Sequence, residues 1–169
     1  TLNGLRLSGA KFMYVRRTQT ELDNTCTETK NPFKKINTDH QCDIEIRAEK
    51  ESYIIIDNEN KDDPQLIGYA AALSTFGKFR GSDFSDVDYI FYDEFINTGS
   101  VNNIRHEADM FFNLIETVNR NRELECKPAI KVLLASNANT IDNDIIRSLR
   151  LADQIKTMKE NKIEDYEDT

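Results

Sequence analysis

Apolar positions along the chain recur in two modes. Short apolar runs of strand type stand between stretches whose apolar residues repeat at helical spacing, the pattern of an α/β domain. Leu2 to Ser8 reads as the end of a helix closed by Gly9, the residue type favoured just past a helix terminus. Lys11-Phe12-Met13-Tyr14-Val15 reads as a buried strand that delivers Arg16 and Arg17 at its carboxyl end. Thr18 to Asn24 suits the start of a short helix, and Asn31-Pro32 signals a turn. From Cys42 the pattern changes to alternation, with Ile44 and Ile46 on one face. Tyr53 to Ile56 follows beyond the polar Glu49-Lys50-Glu51-Ser52 break, which predicts a β-hairpin. Asp57 to Pro64 is a polar turn cluster. Leu66 to Leu73, with three alanines, suits strand or helix, and strand is the expectation.

The loop Ser74 to Asp86 leads into a strand at Tyr89 to Tyr92, within the segment Val87-Asp88-Tyr89-Ile90-Phe91-Tyr92-Asp93-Glu94. After Phe95, the polar stretch Asn97 to Asn103 suits a mobile loop. Phe111, Leu114, Ile115 and Val118 fall at i, i+3, i+4, i+7 and predict an amphipathic helix from Ile104 to about Arg122. Pro128 interrupts, Ile130 to Ala135 is a β-rich run ending in Ser136-Asn137, and Asp142 to Lys159 predicts one final helix. The expected organisation is one domain over residues 1–159 and an acidic, disordered tail over 160–169.

Composition narrows the class. With 169 residues, 38% hydrophobic and 31% charged, and only six glycines and three prolines, the chain is neither collagenous nor disordered in character. No apolar run approaches the roughly 18 residues of a membrane span, which predicts a soluble, intracellular protein with no membrane partner. Cys26, Cys42 and Cys126 lack C-x-x-C spacing, so neither a disulfide framework nor a zinc site is indicated. His40 and His106 are isolated and read as surface or structural residues. A net charge of −8 excludes coating nucleic acid by bulk electrostatics, so any DNA contact must be local.

Three constellations carry candidate chemistry. An apolar strand delivers Asp93 and Glu94 at its carboxyl end, where open α/β sheets place their ligands. Asp93 suits Mg²⁺, and Glu94 suits the water that attacks a γ-phosphate, the arrangement of a Walker B strand. A strand that merely ends in acidic turn residues reads the same way, so context decides. The strand ending Ser136-Asn137 starts about forty residues later and offers an amide at the same edge; a helix cap is the other reading of Asn137. Arg16, Arg17, Arg80, Arg120 and Arg122 stand at strand or helix ends, where guanidinium groups sense phosphate or reach a neighbouring subunit. Arg122, with Glu123 or Glu125 nearby, is the one most suited to a plain surface salt bridge. The phosphate loop G-x-x-x-x-G-K-[ST] is absent: in Gly77-Lys78 the hydroxyl position is Phe79 and the first glycine position is Ala72.

On these residues the chain resembles the DNA-packaging (encapsidation) ATPases of small podophages. The resemblance rests on Lys11 to Arg17, on Tyr89-Ile90-Phe91-Tyr92-Asp93-Glu94-Phe95-Ile96, on Asn113 to Glu123 with its R-N-R-E end, and on Ser136-Asn137-Ala138, in that order. It implies an additional-strand, catalytic-glutamate (ASCE) P-loop fold: a mostly parallel sheet flanked by helices, with an inserted β-hairpin. The amino-terminal strand and phosphate loop are expected to be missing through truncation. It further implies ATP and Mg²⁺ as cofactors and a ring of identical subunits, pentameric in the family. The implied partners are double-stranded DNA, a portal or procapsid and a packaging RNA, met in the cytoplasm of an infected bacterial host. Implied roles are Asp93 as metal ligand, Glu94 as catalytic base, Arg120 as a finger acting in trans and Asn137 as coupling residue. Arg16, Arg17, Arg80 and Ser136 are the nucleotide contacts, with Arg16 and Arg80 alternatively at the neighbouring subunit. Thr18-Gln19 stands where relatives carry a basic residue. The alternatives are another P-loop phage assembly ATPase resembling the zonula occludens toxin family, and a non-catalytic interaction domain that retains the fold.

Overall fold

A computed structural model describes residues 2–49, 52–79, 81–97, 104–120, 122, 124–137 and 141–163. Helix α1 (Leu2–Ser8) is closed by Gly9, whose φ of +72° lets its N–H reach Arg6 O at 3.2 Å. Strand β1 (Lys11–Arg16) follows, then α2 (Gln19–Thr25). A capping box starts α2: the Thr18 hydroxyl accepts from Glu21 N, and the Glu21 carboxylate accepts from Thr18 N. Beyond a 3₁₀ turn at Glu28–Lys30 comes α3 (Lys34–His40), where the sequence signals only a turn. Its residues hold a single apolar side chain, Ile36, so they present no helical period.

Strands β2 (Ile44–Ala48) and β3 (Tyr53–Asp57) form the expected hairpin, and β4 (Gln65–Ala72) is a strand as expected. A 3₁₀ helix (Leu73–Phe79) occupies part of what reads as loop. Strand β5 (Val87–Asp93), helix α4 (Glu107–Asn119) and strand β6 (Lys131–Ala135) follow, then α5 (Asp144–Ser148) and α6 (Ala152–Asn161). Helix α4 starts three residues later than its periodicity suggests, because His106 takes a left-handed φ of +57°. The single final helix is in fact two. Asn143 caps α5 by accepting from Ile145 N and Ile146 N, and Arg150 breaks the run at φ +57°. The Thr98–Asn103 part of the expected mobile loop and residues 164–169 of the expected tail lie outside the described residues.

The sheet runs β2-β3-β4-β1-β5-β6. Strands β4, β1, β5 and β6 are mutually parallel, and the hairpin adds two antiparallel pairings at one edge. Central β1 is buried on both faces, which is why it reads as an unbroken apolar run. Phe12 and Tyr14 pack with Leu22, Phe33, Ile44 and Ile55. Met13 and Val15 pack on the other face with Ile90, Tyr92, Phe111, Leu114 and Ile145. The outer edge of β2 is met by side chains: Asn37 donates to Ile44 O and accepts from Ile44 N, both at 2.9 Å, and Asn31 also donates to Ile44 O. Among the described residues, no helix is long and apolar enough to cross a membrane.

Gly68 lets β4 approach β1. A Cβ there would sit 2.2 Å from the backbone oxygen of Phe12, which the strand pairing holds in place. Gly68→Ala is expected to lower the unfolding free energy by about 3 kcal/mol, measured by urea denaturation, through displacement of the β1–β4 ladder.

Candidate functional site

The chain leaves β1 toward β4 on one side and returns to β5 on the other, so the carboxyl ends of β1 and β5 flank the point where strand order reverses. Ligands of open α/β sheets bind at such a point. Here β1 delivers Arg16 and β5 delivers Asp93. Arg16 Nη1 donates to Asp93 Oδ2 at 2.8 Å, and the Tyr14 hydroxyl donates to the same oxygen at 2.7 Å. Both ionised side chains keep some solvent contact, 18% for Arg16 and 25% for Asp93. Burial works against the Arg16 charge, but Tyr14 and Asp93 outweigh it and hold the guanidinium above its ordinary pKa. Its Nε is buried without a partner.

Glu94 leaves the strand in a left-handed conformation, φ +53°, which turns its side chain out of the ladder. The carboxyl end of β6 comes alongside, since Asp93 pairs with Ala135. Asn137 Nδ2 then lies 3.4 Å from Glu94 Oε1, a long hydrogen bond, and Ile96 N donates to the Ser136 hydroxyl at 3.4 Å. Asp93, Arg16, Glu94, Ser136 and Asn137, chosen from distant stretches of sequence, thus gather at one edge.

Arg17 does not join them. Its side chain is only 2% exposed and forms an ion pair with Glu107 through Nε–Oε1 (2.7 Å) and Nη2–Oε2 (3.3 Å). The Tyr92 hydroxyl donates to Glu107 Oε1 at 3.0 Å. Burial and the neighbouring Glu107 push the Tyr92 phenol up, so it stays a donor. Arg120 is exposed at the carboxyl terminus of α4, a helix about 20 Å long whose amino terminus holds Glu107. Arg80 lies outside the described residues.

Arg122 differs from its expected surface salt bridge with Glu123 or Glu125. It is buried, donating to Pro128 O, Val87 O and Ser85 O and pairing with Asp88 at 3.0 Å. It ties the start of β5 to the segment after α4. Two participants escaped the sequence reading. Glu107 shares a helical stripe with Phe111, Leu114 and Val118, so its burial was legible. Tyr14 is two residues from Arg16 and shares its strand face.

Among the described residues no group of three or more His, Cys, Asp or Glu side chains could hold a metal. Mg²⁺ commonly binds through one or two carboxylates completed by phosphate oxygens and water, and Asp93, a quarter exposed at the end of β5, could supply one such carboxylate.

Fold and site together define a mixed α/β domain with adjacent carboxylates at the carboxyl edge of parallel strands. The chain belongs to the podovirus DNA encapsidation protein (Gp16) family, which it matches over residues 1–166. It is 29% identical over 136 residues to the DNA packaging proteins of Bacillus phages PZA and phi29. That stretch is 80% of this chain and 36% of each relative, so the chain spans about a third of the curated relatives it matches. The N-terminal domain of the DNA packaging ATPase from bacteriophage phi29 has a similar structure, with TM-score 0.64 and 27% identity over 89% of this chain and 70% of that one. A chain of the phi29 viral genome packaging motor assembly gives TM-score 0.61 and 25% identity over 88% and 41%. The family match favours a packaging protein over the toxin-like alternative.

Glu107→Ala leaves Arg17 charged, buried and unpaired. We expect it to lower the unfolding free energy by about 3 kcal/mol or more in chemical denaturation, against less than about 1 kcal/mol for exposed Arg120→Ala.

Proposed function

We propose that the protein containing this chain drives double-stranded DNA into a procapsid by ATP hydrolysis at the subunit interfaces of a ring of identical copies. Family membership supports the packaging role. The observation that carries the chemistry is the meeting of Asp93, Glu94 and Asn137 at one sheet edge, with Asn137 Nδ2 reaching Glu94 Oε1. In this reading the fold is an ASCE P-loop core and β5 its Walker B strand. These 169 residues carry no phosphate-loop signature.

Each residue then has a separable task. Asp93 would hold Mg²⁺, whose charge would offset that of the ATP phosphates. Glu94 orients and polarises the attacking water. Asn137 reaches Glu94 at 3.4 Å, so in this reading its amide would sense whether the site is filled and couple that state to movement. Arg16 and Ser136 line the same edge and contact nucleotide. Arg120, exposed at the carboxyl terminus of α4, would be a finger that acts on the neighbouring subunit. Its partners on this reading are duplex DNA, a portal complex and a packaging RNA, and the ring is pentameric. The protein works inside the infected bacterial cell.

Glu94→Gln is expected to bind ATP with affinity near wild type but to lose hydrolysis by at least about 100-fold, measured by phosphate release in the presence of procapsids and DNA. Turnover retained in that variant would remove Glu94 from the mechanism. Arg120→Ala is expected to lose packaging alone and to recover part of it when mixed with Glu94→Gln subunits, because each variant leaves intact the half-site the other lacks. Absence of recovery across all mixing ratios assigns Arg120 to its own subunit.

A further inference from the structure

Two donors converge on a single oxygen of Asp93. Tyr14 and Arg16 both bond Oδ2, and among the described residues no donor reaches Oδ1. A carboxylate at a half-exposed strand end otherwise turns freely about its side-chain torsions. Here one oxygen is pinned and the other is left over.

The Tyr14 hydroxyl is itself immobilised. Its side chain is almost wholly buried, with Phe33 edge-on at 5.9 Å and Phe91 at 5.9 Å between ring centroids. Phe33, which immediately precedes α3, also packs edge-on against Phe12 at 6.0 Å. A layer of rings on one sheet face thereby sets where the phenolic oxygen lies, and the β1–β5 pairing sets where Asp93 meets it.

We propose that Tyr14 is a positioning residue for a metal-binding carboxylate: its hydroxyl, with Arg16, holds Asp93 Oδ2 so that Oδ1 is the oxygen presented to a divalent cation. The proposal rests on Asp93 having the metal role given above. Partners of ligating carboxylates commonly govern metal affinity by 10- to 100-fold, and Mg²⁺ tolerates poor geometry less than Ca²⁺ does. A hydroxyl that only satisfies its own hydrogen bond in the core has neither consequence.

The test uses the full-length protein saturated with a non-hydrolysable ATP analogue, titrated with Mn²⁺ and followed by electron paramagnetic resonance, with Mg²⁺ and Ca²⁺ as competitors. Wild type, Tyr14→Phe and Asp93→Asn are compared. Phenylalanine keeps the ring packing, so the variant should unfold at the wild-type denaturant midpoint. The expected result is a Mn²⁺ midpoint raised about tenfold in Tyr14→Phe, with analogue affinity in EDTA unchanged and Mg²⁺ competition weakened more than Ca²⁺ competition. A raised midpoint in Asp93→Asn with none in Tyr14→Phe overturns the positioning role alone. An unchanged midpoint in Asp93→Asn overturns the metal role of Asp93, and this inference with it.

Discussion

In parallel register Tyr14 lies opposite Phe91 and Val15 opposite Tyr92, so β1 and β5 finish side by side and Arg16 arrives next to Asp93. The candidate site depends on that pairing. Side chains alternate across a sheet, so a slip of one residue would turn Arg16 toward Glu107 and Arg17 toward Asp93, and would expel Phe12 and Tyr14 from their face of the core. Burial on both faces of β1 makes such a slip prohibitively unfavourable, and the close approach at Gly68 holds β4 to the same register.

Consecutive arginines consequently live in different environments. Arg17 points into the core beneath α4, where its pair with Glu107 is dry, and breaking such a pair strands a charge. That fixes the start of α4 relative to the ends of β1 and β5. Arg16 points to the opposite face and keeps solvent contact, with one nitrogen lacking a partner. A partly solvated ion pair of this kind contributes little net stability by itself, so the strand pairing that brings Arg16 and Asp93 together is what keeps it in place. One arginine is built into the frame, and the other stands at the site.

Several elements were legible because one physical signal dominated them. The β1 run, the β2–β3 hairpin and the α4 stripe follow from burial on two faces, on alternating positions and on one helical face respectively. Helix α3 was missed because its hold on the sheet comes from Asn37 bonding both backbone groups of Ile44, a contact that leaves no periodic trace. Stretches with correct periodicity were overextended where a backbone inversion at His106 or Arg150 ends a helix without proline or glycine to announce it.

For the candidate site, position at strand ends was enough to single out Asp93, Glu94, Ser136, Asn137 and Arg16 as residues that the fold gathers at one sheet edge, because parallel neighbouring strands end together. Residue type could not distinguish Arg16 from Arg17, reveal that Arg122 is a buried tie rather than a surface charge, or bring Tyr14 onto Asp93. Those outcomes depend on which face each side chain takes and on what packs against that face. Strand register and helix placement decide this, and both are set by contacts between residues far apart in the chain.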